Sequence, residues 1–395
     1  MSEKTPQEIA LERAKLCREA NGFGKPERIP NLSFFVTWKV YDAGYKMSEA
    51  LNNYDIMEKC VREHIERYQP DFLVETGTRN PWELITAMGA SNYYVNDEVG
   101  GVAYKEIPMA GDHEDLHEIV KNPKKFIWEH GMAAKFSRWN ENFTVEDFQK
   151  AYDAYNSFFR FAIKMGGVLK EYGMPNYSTG RPYCYLGAEY LFNHIRGVKG
   201  FAVDMRKDPE LFTDAVLALQ SIFYDPQLEA MKASSYEKDM NAIFDYTMDM
   251  LAHTFMGNKQ FERWYLPYLD NVVREMEKRG FTMRLFTQGH ADNLFQYWTE
   301  YKKGTLCIHS EFDDILDVRK ALPNCGNMGG MPVDYLGRKS KEECLQRLEL
   351  LCKELAPQSG WLLAEDKQVS YKHDCKRENY LAVCEYIREF RPEYN

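Results

Sequence analysis

Eight short, largely apolar runs of β-forming residues recur along the 395-residue chain, and amphipathic helical patterns separate most of them. The runs are Leu32–Thr37, Asp71–Gly77, Pro182–Gly187 and Asn241–Thr247, then Thr282–His290, Thr305–Glu311, Asn324–Gly330 and Gly360–Asp366. Most are apolar through their middles, as strands buried on both faces must be. Helical patterns cover Met47–Tyr68, Val145–Tyr172, Pro209–Ala233, Phe261–Arg279 and Ser340–Leu355. In Val145–Tyr172, Phe148, Tyr152, Tyr155, Phe159 and Ile163 recur every third or fourth residue. Each helix carries the chain back, so the next strand lies parallel to the last. The alternation predicts an α/β chain folded as a (β/α)₈ TIM barrel. An open doubly wound sheet is the rival, but neither G-x-G-x-x-G nor G-x-x-x-x-G-K-[ST] is present.

No repeat or low-complexity linker divides the chain, so residues 1–395 read as one barrel domain. Residues 1–25 form an N-terminal helical extension. The connection between strands 2 and 3 is abnormal, with about a hundred residues where a crossover needs far fewer. It carries Trp82, Tyr93, Tyr94, His113, His117, Trp128, His130 and Trp139. Residues 78–181 are expected to be a helical insertion over one barrel end, as a lid or pocket wall.

Composition narrows the function. Lys and Arg number 50 against 60 Asp and Glu, a net charge of −10. That balance argues against a nucleic-acid or anionic-lipid partner. No stretch approaches the roughly 20 apolar residues of a membrane helix. The start, MSEKTPQEIALERAK, has no apolar signal core, so a cytoplasmic location is expected. The nine cysteines are odd in number and include no C-x-x-C, which disfavours zinc ribbons and a disulfide framework.

In a barrel of this kind, chemistry sits where strands end and loops begin. Asp245, Tyr246 and Asp249 fall at the end of the fourth run, and His290 and Asp292 beyond the fifth. Glu311 follows the sixth, Cys325 and Asn327 lie in the seventh, and Glu365 ends the eighth. An imidazole and a carboxylate two residues apart can turn toward one ion, so His290 and Asp292 are candidate metal ligands. Glu365, Glu311 and Cys325 could complete the set. Alternatively, Glu311, Glu365, Asp245 and Asp249 are an acid–base group whose carboxyls shift one another's pKa. Trp38, Tyr246 and Asn327 are candidate substrate contacts. No G-x-S-x-G elbow is present.

Several segments together resemble the uroporphyrinogen decarboxylase-like superfamily, over about residues 26–390. They are Tyr68-Gln69-Pro70-Asp71-Phe72-Leu73-Val74, Tyr183–Gly200 with Met205–Leu211, Phe261–Leu269, and Gly326-Asn327-Met328. The resemblance implies a (β/α)₈ barrel and either decarboxylation or cobalamin-dependent methyl transfer. True decarboxylases carry an arginine-rich segment after the first strand, whereas Phe35–Tyr41 here has one lysine and no arginine. Their catalytic aspartate after strand 2 is replaced by Glu75-Thr76-Gly77-Thr78. A polycarboxylate substrate would need arginine clamps.

The methyltransferase branch holds zinc by H-x-C after strand 5 and a cysteine near the end of strand 8. Here the first motif is His290-Ala291-Asp292, and Glu365-Asp366 stands near the second. An oxygen-rich site suits an oxygen or nitrogen substrate activated by a Lewis acid. The expectation is therefore methyl transfer between a small methylated ether, alcohol or amine and a corrinoid (cobalamin) cofactor on a partner protein. His290, Asp292 and Glu365 would bind zinc, and His290, Asp245 and Glu311 would take catalytic roles. A decarboxylase and a catalytically silent binding barrel are the alternatives. The oligomeric state is open, with a homodimer among the options.

Overall fold

The parallel strands of the chain are short, from two to six residues each. A computed structural model describes residues 4–74, 81–90, 93–104, 110–140, 143–178, 183–235 and 237–394. In chain order the strands are β1 (Leu32–Ser33), β2 (Phe72–Leu73), β3 (Tyr93–Asn96), β4 (Gly101–Tyr104) and β5 (Tyr246–Met250). They continue as β6 (Met283–Thr287), β7 (Leu306–Ser310), β8 (Gly326–Met331) and β9 (Trp361–Glu365). Strands β5 to β9 form one five-stranded parallel sheet in sequential order. Every residue of β6, β7, β8 and β9 is buried, which is why their sequences run apolar instead of alternating.

Both edges of the sheet are extended. β1 pairs with β2 in parallel and touches β9 through an Asn31–Leu363 bridge. On the other side Asn176 bridges Ala242, just before β5. Between β2 and Asn176 the contact is a ring stack, Phe72 on Tyr177 at 5.4 Å. No ladder joins β2 to the Asn176 segment among the described residues. The architecture is thus mixed α/β around a five-stranded parallel sheet with short parallel extensions, and a complete barrel ladder is not present among those residues.

Two expected strands are misplaced. Residues 183–186 have no regular structure, and Gly187 opens a helix; Asn176 takes the third position instead. Pro182 lies outside the described residues, as do Glu75–Thr78. The fourth strand starts at Tyr246, because Asn241, Ile243 and Phe244 hydrogen-bond to the Asn176 segment instead. Three expected helices are each two. Asn53 caps the second part of Met47–Tyr68, and Pro226 and Pro267 each open a new helix inside the other two. The segment after β2 contains the antiparallel hairpin β3–β4 besides its helices.

The N-terminal end of the sheet is closed by the helix Pro6–Asn21. Its start is fixed by a capping box between Thr5 and Glu8, with Pro6 at the first position. Arg18 crosses from this helix to Asp245 at 3.0 and 3.1 Å and to the carbonyls of Ala242 and Asp239. Asn21 packs on Gly326, where a Cβ would lie 2.1 Å from its Oδ1, so the approach requires glycine. No helix among the described residues is long and apolar enough to cross a membrane.

Candidate active site at the strand ends

A cavity of about 520 Å³ opens at the C-terminal end of β5. Its floor is Met248 and Asp249 of β5 with Gln288 just past β6. The segment after β2 supplies one wall, through Leu84, Ile85, Tyr93, Lys135 and Phe136. The other wall is Tyr183, Cys184, Tyr185, Glu189, Asn193 and His194. The lining is mainly aromatic and aliphatic with a few convergent polar groups, the usual character of a small-molecule site. A second space of about 200 Å³ shares Tyr183, Met248 and Asp249 and reaches Phe34, Tyr177 and Arg284.

Three polar groups form a chain along the wall. Lys135 Nζ lies 3.0 Å from His194 Nδ1, and His194 Nε2 lies 3.2 Å from the Tyr185 hydroxyl. An ammonium can only donate, so Nδ1 accepts and Nε2 carries the ring proton toward Tyr185. Asn193 Nδ2 also donates to that hydroxyl, at 3.4 Å. With two donors aimed at its oxygen, Tyr185 has its own proton left to give to a pocket occupant. Burial lowers the pKa of Lys135 and, aided by the Lys135 charge, pushes that of His194 down to about 4. His194 sits in a π-helical turn, Leu191–Arg196, the kind of local widening common at functional sites.

Glu189 fixes this wall to the strand end. Its carboxylate accepts from the amides of Leu251 and Ala252, at 2.7 and 2.9 Å, and from the Tyr265 hydroxyl and Asn193. Burial raises its pKa against the pull of those four donors. Beneath the pocket, Arg284 donates to Asp249 at 2.6 Å and to His309 Nδ1 at 2.9 Å. His309 therefore carries its proton on Nε2 and donates it to the Glu365 carbonyl at 2.8 Å. Burial and the Arg284 charge hold His309 neutral. The chain orients Asp249, whose side chain keeps 43% of its surface exposed toward the cavity.

No protein-family model matches the chain, and no curated protein matches it. Among solved structures it resembles a methyltransferase from Methanosarcina mazei, at 12% identity and a TM-score of 0.49. That alignment covers 98% of this chain and 99% of the other.

The residues singled out from sequence are dispersed. His290 is 72% exposed and bonds Asp313 through Nδ1 at 2.8 Å; that bond raises its pKa. Asp292 is exposed on the following turn. Glu365 is buried beside Cys375, Cys384 and Tyr380 and accepts from the Phe34 amide at 2.6 Å. The three expected zinc ligands thus do not converge. Among the described residues no group of three or more His, Cys, Asp or Glu is placed to hold a metal ion. Glu311 is half-buried and accepts from the Gly289 amide, outside the cavity lining. Cys325 is buried at the start of β8.

Asp245 sits at the opposite end of β5 from the pocket, bound to Arg18 and the Thr282 amide. Asn327 is near the start of β8 and accepts from Arg319 at 2.6 Å. Trp38 is buried and donates its indole N–H to the Cys375 carbonyl. Tyr246 is buried too, and its hydroxyl accepts from the Cys184 amide at 2.6 Å, which positions one pocket wall. None of these four lines the cavity. Lys135, Tyr185, Glu189 and His194 do, and the strand-end rule passed them over because they lie on helices and a loop. The signal was present: Tyr183–Gly200 already stood out as a segment, and Glu189 and Asn193 share a helix face at a spacing of four.

Proposed function

We propose that the chain is an enzyme that moves a methyl group between the oxygen or nitrogen of a small molecule and a corrinoid carried by a partner protein. The observation that carries this reading is the donor chain Lys135–His194–Tyr185 along an aromatic cavity. Breaking a methyl–oxygen bond leaves electron density on the oxygen, which must receive a proton or a strong hydrogen bond. Tyr185 presents its O–H to the cavity, with His194 and Lys135 behind it to replace the proton. A positioned general acid of this kind is worth about 10²–10⁴ in rate. The aromatic walls hold a flat substrate with its methyl group fixed in direction, so that displacement becomes a matter of alignment. A bound corrinoid would supply the methyl-carrier chemistry, and its choice as carrier rests on the sequence resemblance. The reading also treats the eight parallel segments as one (β/α)₈ barrel with the cavity at its C-terminal mouth.

Zinc plays no part in this reading, because the residues expected to bind it do not fit the ion. Decarboxylation is disfavoured by charge. Asp249 presents a carboxylate to the cavity, and Arg284 behind it is already paired. A carboxylated substrate would meet repulsion there.

The test is anaerobic. The protein is mixed with cob(I)alamin and a panel of aryl methyl ethers, methanol and methylamines, and the cob(I)alamin absorbance is followed. The expected result is a decay with at least one substrate, slowed about 100-fold or more in Tyr185→Phe. Binding without decay would favour the silent barrel, and corrinoid-free turnover of a carboxylic acid would favour the decarboxylase.

A further inference from the structure

The helix Val145–Glu171 has two apolar stripes and uses only one of them inside the chain. Ala151, Ala154, Phe161, Met165 and Val168 are buried. Phe148, Tyr152, Tyr155, Phe159 and Ile163 also recur every three or four residues, yet each is between 51% and 62% exposed. At 100° per residue the second stripe is rotated roughly 140° from the first. Intervals of four, three, four and four keep the five on one helix face, as a helix–helix contact requires. Gly166 lies on the same stripe with nothing within 4 Å of where its Cβ would be, which leaves room for a neighbouring backbone.

We infer that this stripe is the contact of a two-fold dimer, in which the helix lies antiparallel to its counterpart in a second copy of the chain. Charge selects that partner and that direction. Exposed Glu146 and Asp153 stand in the N-terminal half of the helix, and exposed Arg160 and Lys164 on the same flank in the C-terminal half. Within the chain Glu146 also meets Lys150, and Lys164 meets Glu58 and Asp55. In an antiparallel two-fold pair like flanks face each other, so the acidic half of one helix meets the basic half of the other. A parallel pair would set this flank against the opposite one, and these acid–base pairings would be lost.

Area agrees. Each half-exposed ring contributes about 100 Å². Five such side chains per protomer bring a pair to about 1,000 Å², the lower bound for a specific interface. The two-fold axis would pass near Tyr155 and Asn156, which sets Phe148 against Ile163 and Tyr152 against Phe159. The helix also packs on Trp82–Ala87, which supplies Leu84 and Ile85 to the cavity. Dimerisation would therefore brace one wall of the site.

The experiment is sedimentation equilibrium of the full chain at 1–100 µM. The expected mass is twice 46.3 kDa. Tyr152→Glu with Phe159→Glu should weaken association at least 100-fold with an unchanged circular dichroism spectrum. A second measurement fixes the geometry. All nine native cysteines are buried, so an introduced one reports alone. Tyr155→Cys should cross-link to itself between copies, whereas Phe148→Cys should cross-link only when Ile163→Cys is present. A monomer at 100 µM, a dimer that survives the double Glu variant, or self-linking at 148 in place of 155 would each overturn the proposal.

Discussion

Two aspartates four residues apart stand at opposite ends of β5, Asp245 just before it and Asp249 near its end, and the fold treats them in opposite ways. Asp245 is fully buried and held by Arg18 and Thr282. Asp249 is held by one arginine and faces a cavity with 43% of its side chain exposed. The first has every acceptor committed to the protein, so it can only hold the N-terminal helix in place. The second has an oxygen left for something else. What separates structural from chemical carboxylates here is not residue type or burial alone but whether valence is left over at the mouth of the sheet.

Breaking the closed end should have the largest effect. Asp245→Asn leaves the buried Arg18 charge without its partner. Removing one member of such a pair costs about 3–5 kcal/mol. Chemical denaturation should show that loss, with the remaining folded fraction binding ligand normally. Asp249→Asn also takes a charged partner from a buried arginine, but Asp249 itself is half exposed and hydrated, so its cost should be the smaller of the two. If the two variants lose equal stability, the contrast between the two ends fails.

The next test sharpens the open end. Lys135→Met keeps the apolar stem and removes a charge whose pKa burial already lowers. It should leave the melting temperature within a few degrees and reduce methyl transfer by about 10²–10³. Burial and the Lys135 charge push the His194 pKa down to about 4, so acid should break the relay only near that pH, whereas alkali should break it as Lys135, whose pKa burial lowers, gives up its proton. His194 also affects stability. Its folded pKa lies below the ordinary 6.5, so the unfolded chain binds the extra proton, and stability should fall as pH drops from about 6.5 toward 4. His194→Gln should reduce that loss, which thermal melts across this range would show.

Much of this arrangement was legible in the sequence. The strands Met283–Thr287, Leu306–Ser310, Gly326–Met331 and Trp361–Glu365 all fall inside the runs read as strands. They were readable because parallel strands covered on both faces run continuously apolar. The site was harder, because its reading depended on strand boundaries. Starting the fourth strand five residues early, at Asn241 instead of Tyr246, turned Asp245 from the closed end into an apparent strand-end catalyst. Glu365 shows a different limit. It ends β9 as expected, but whether its side chain turns to the cavity or to the Phe34 amide depends on a neighbour more than 300 residues away. The donor chain spans Lys135 and His194, and no local pattern marks a contact between a helix end and a π turn 59 residues on.

Glu365 also gives a smaller, pH-dependent test. Burial raises its pKa from 4.5 to about 8. The folded chain therefore keeps a proton that the unfolded chain releases. This contribution is fully present below about pH 4.5 and is lost as pH rises through 8. The slope is at most about 1.4 kcal/mol per pH unit, that of one proton. Glu365→Gln should flatten the stability profile between pH 5 and 8, as measured by urea midpoints. An unchanged profile would mean that this carboxyl is ionised in the fold and free for other work.

His290 should show the smallest effect, and for that reason it tests the site assignment most cleanly. Its ring is largely in water, and its partner Asp313 also accepts from the Ala291 amide and the Ser310 hydroxyl. Those two donors would hold Asp313 after His290→Ala. An exposed pair contributes about 0–1 kcal/mol. The Asp313 bond raises the His290 pKa, so even this contribution is complete only below about 6.5 and fades as the pH rises through the raised value. Elemental analysis of anaerobically purified wild type and His290→Ala should give the same metal content. One zinc per chain that disappears with His290 would move the chemistry away from Tyr185 and back to the end of β6.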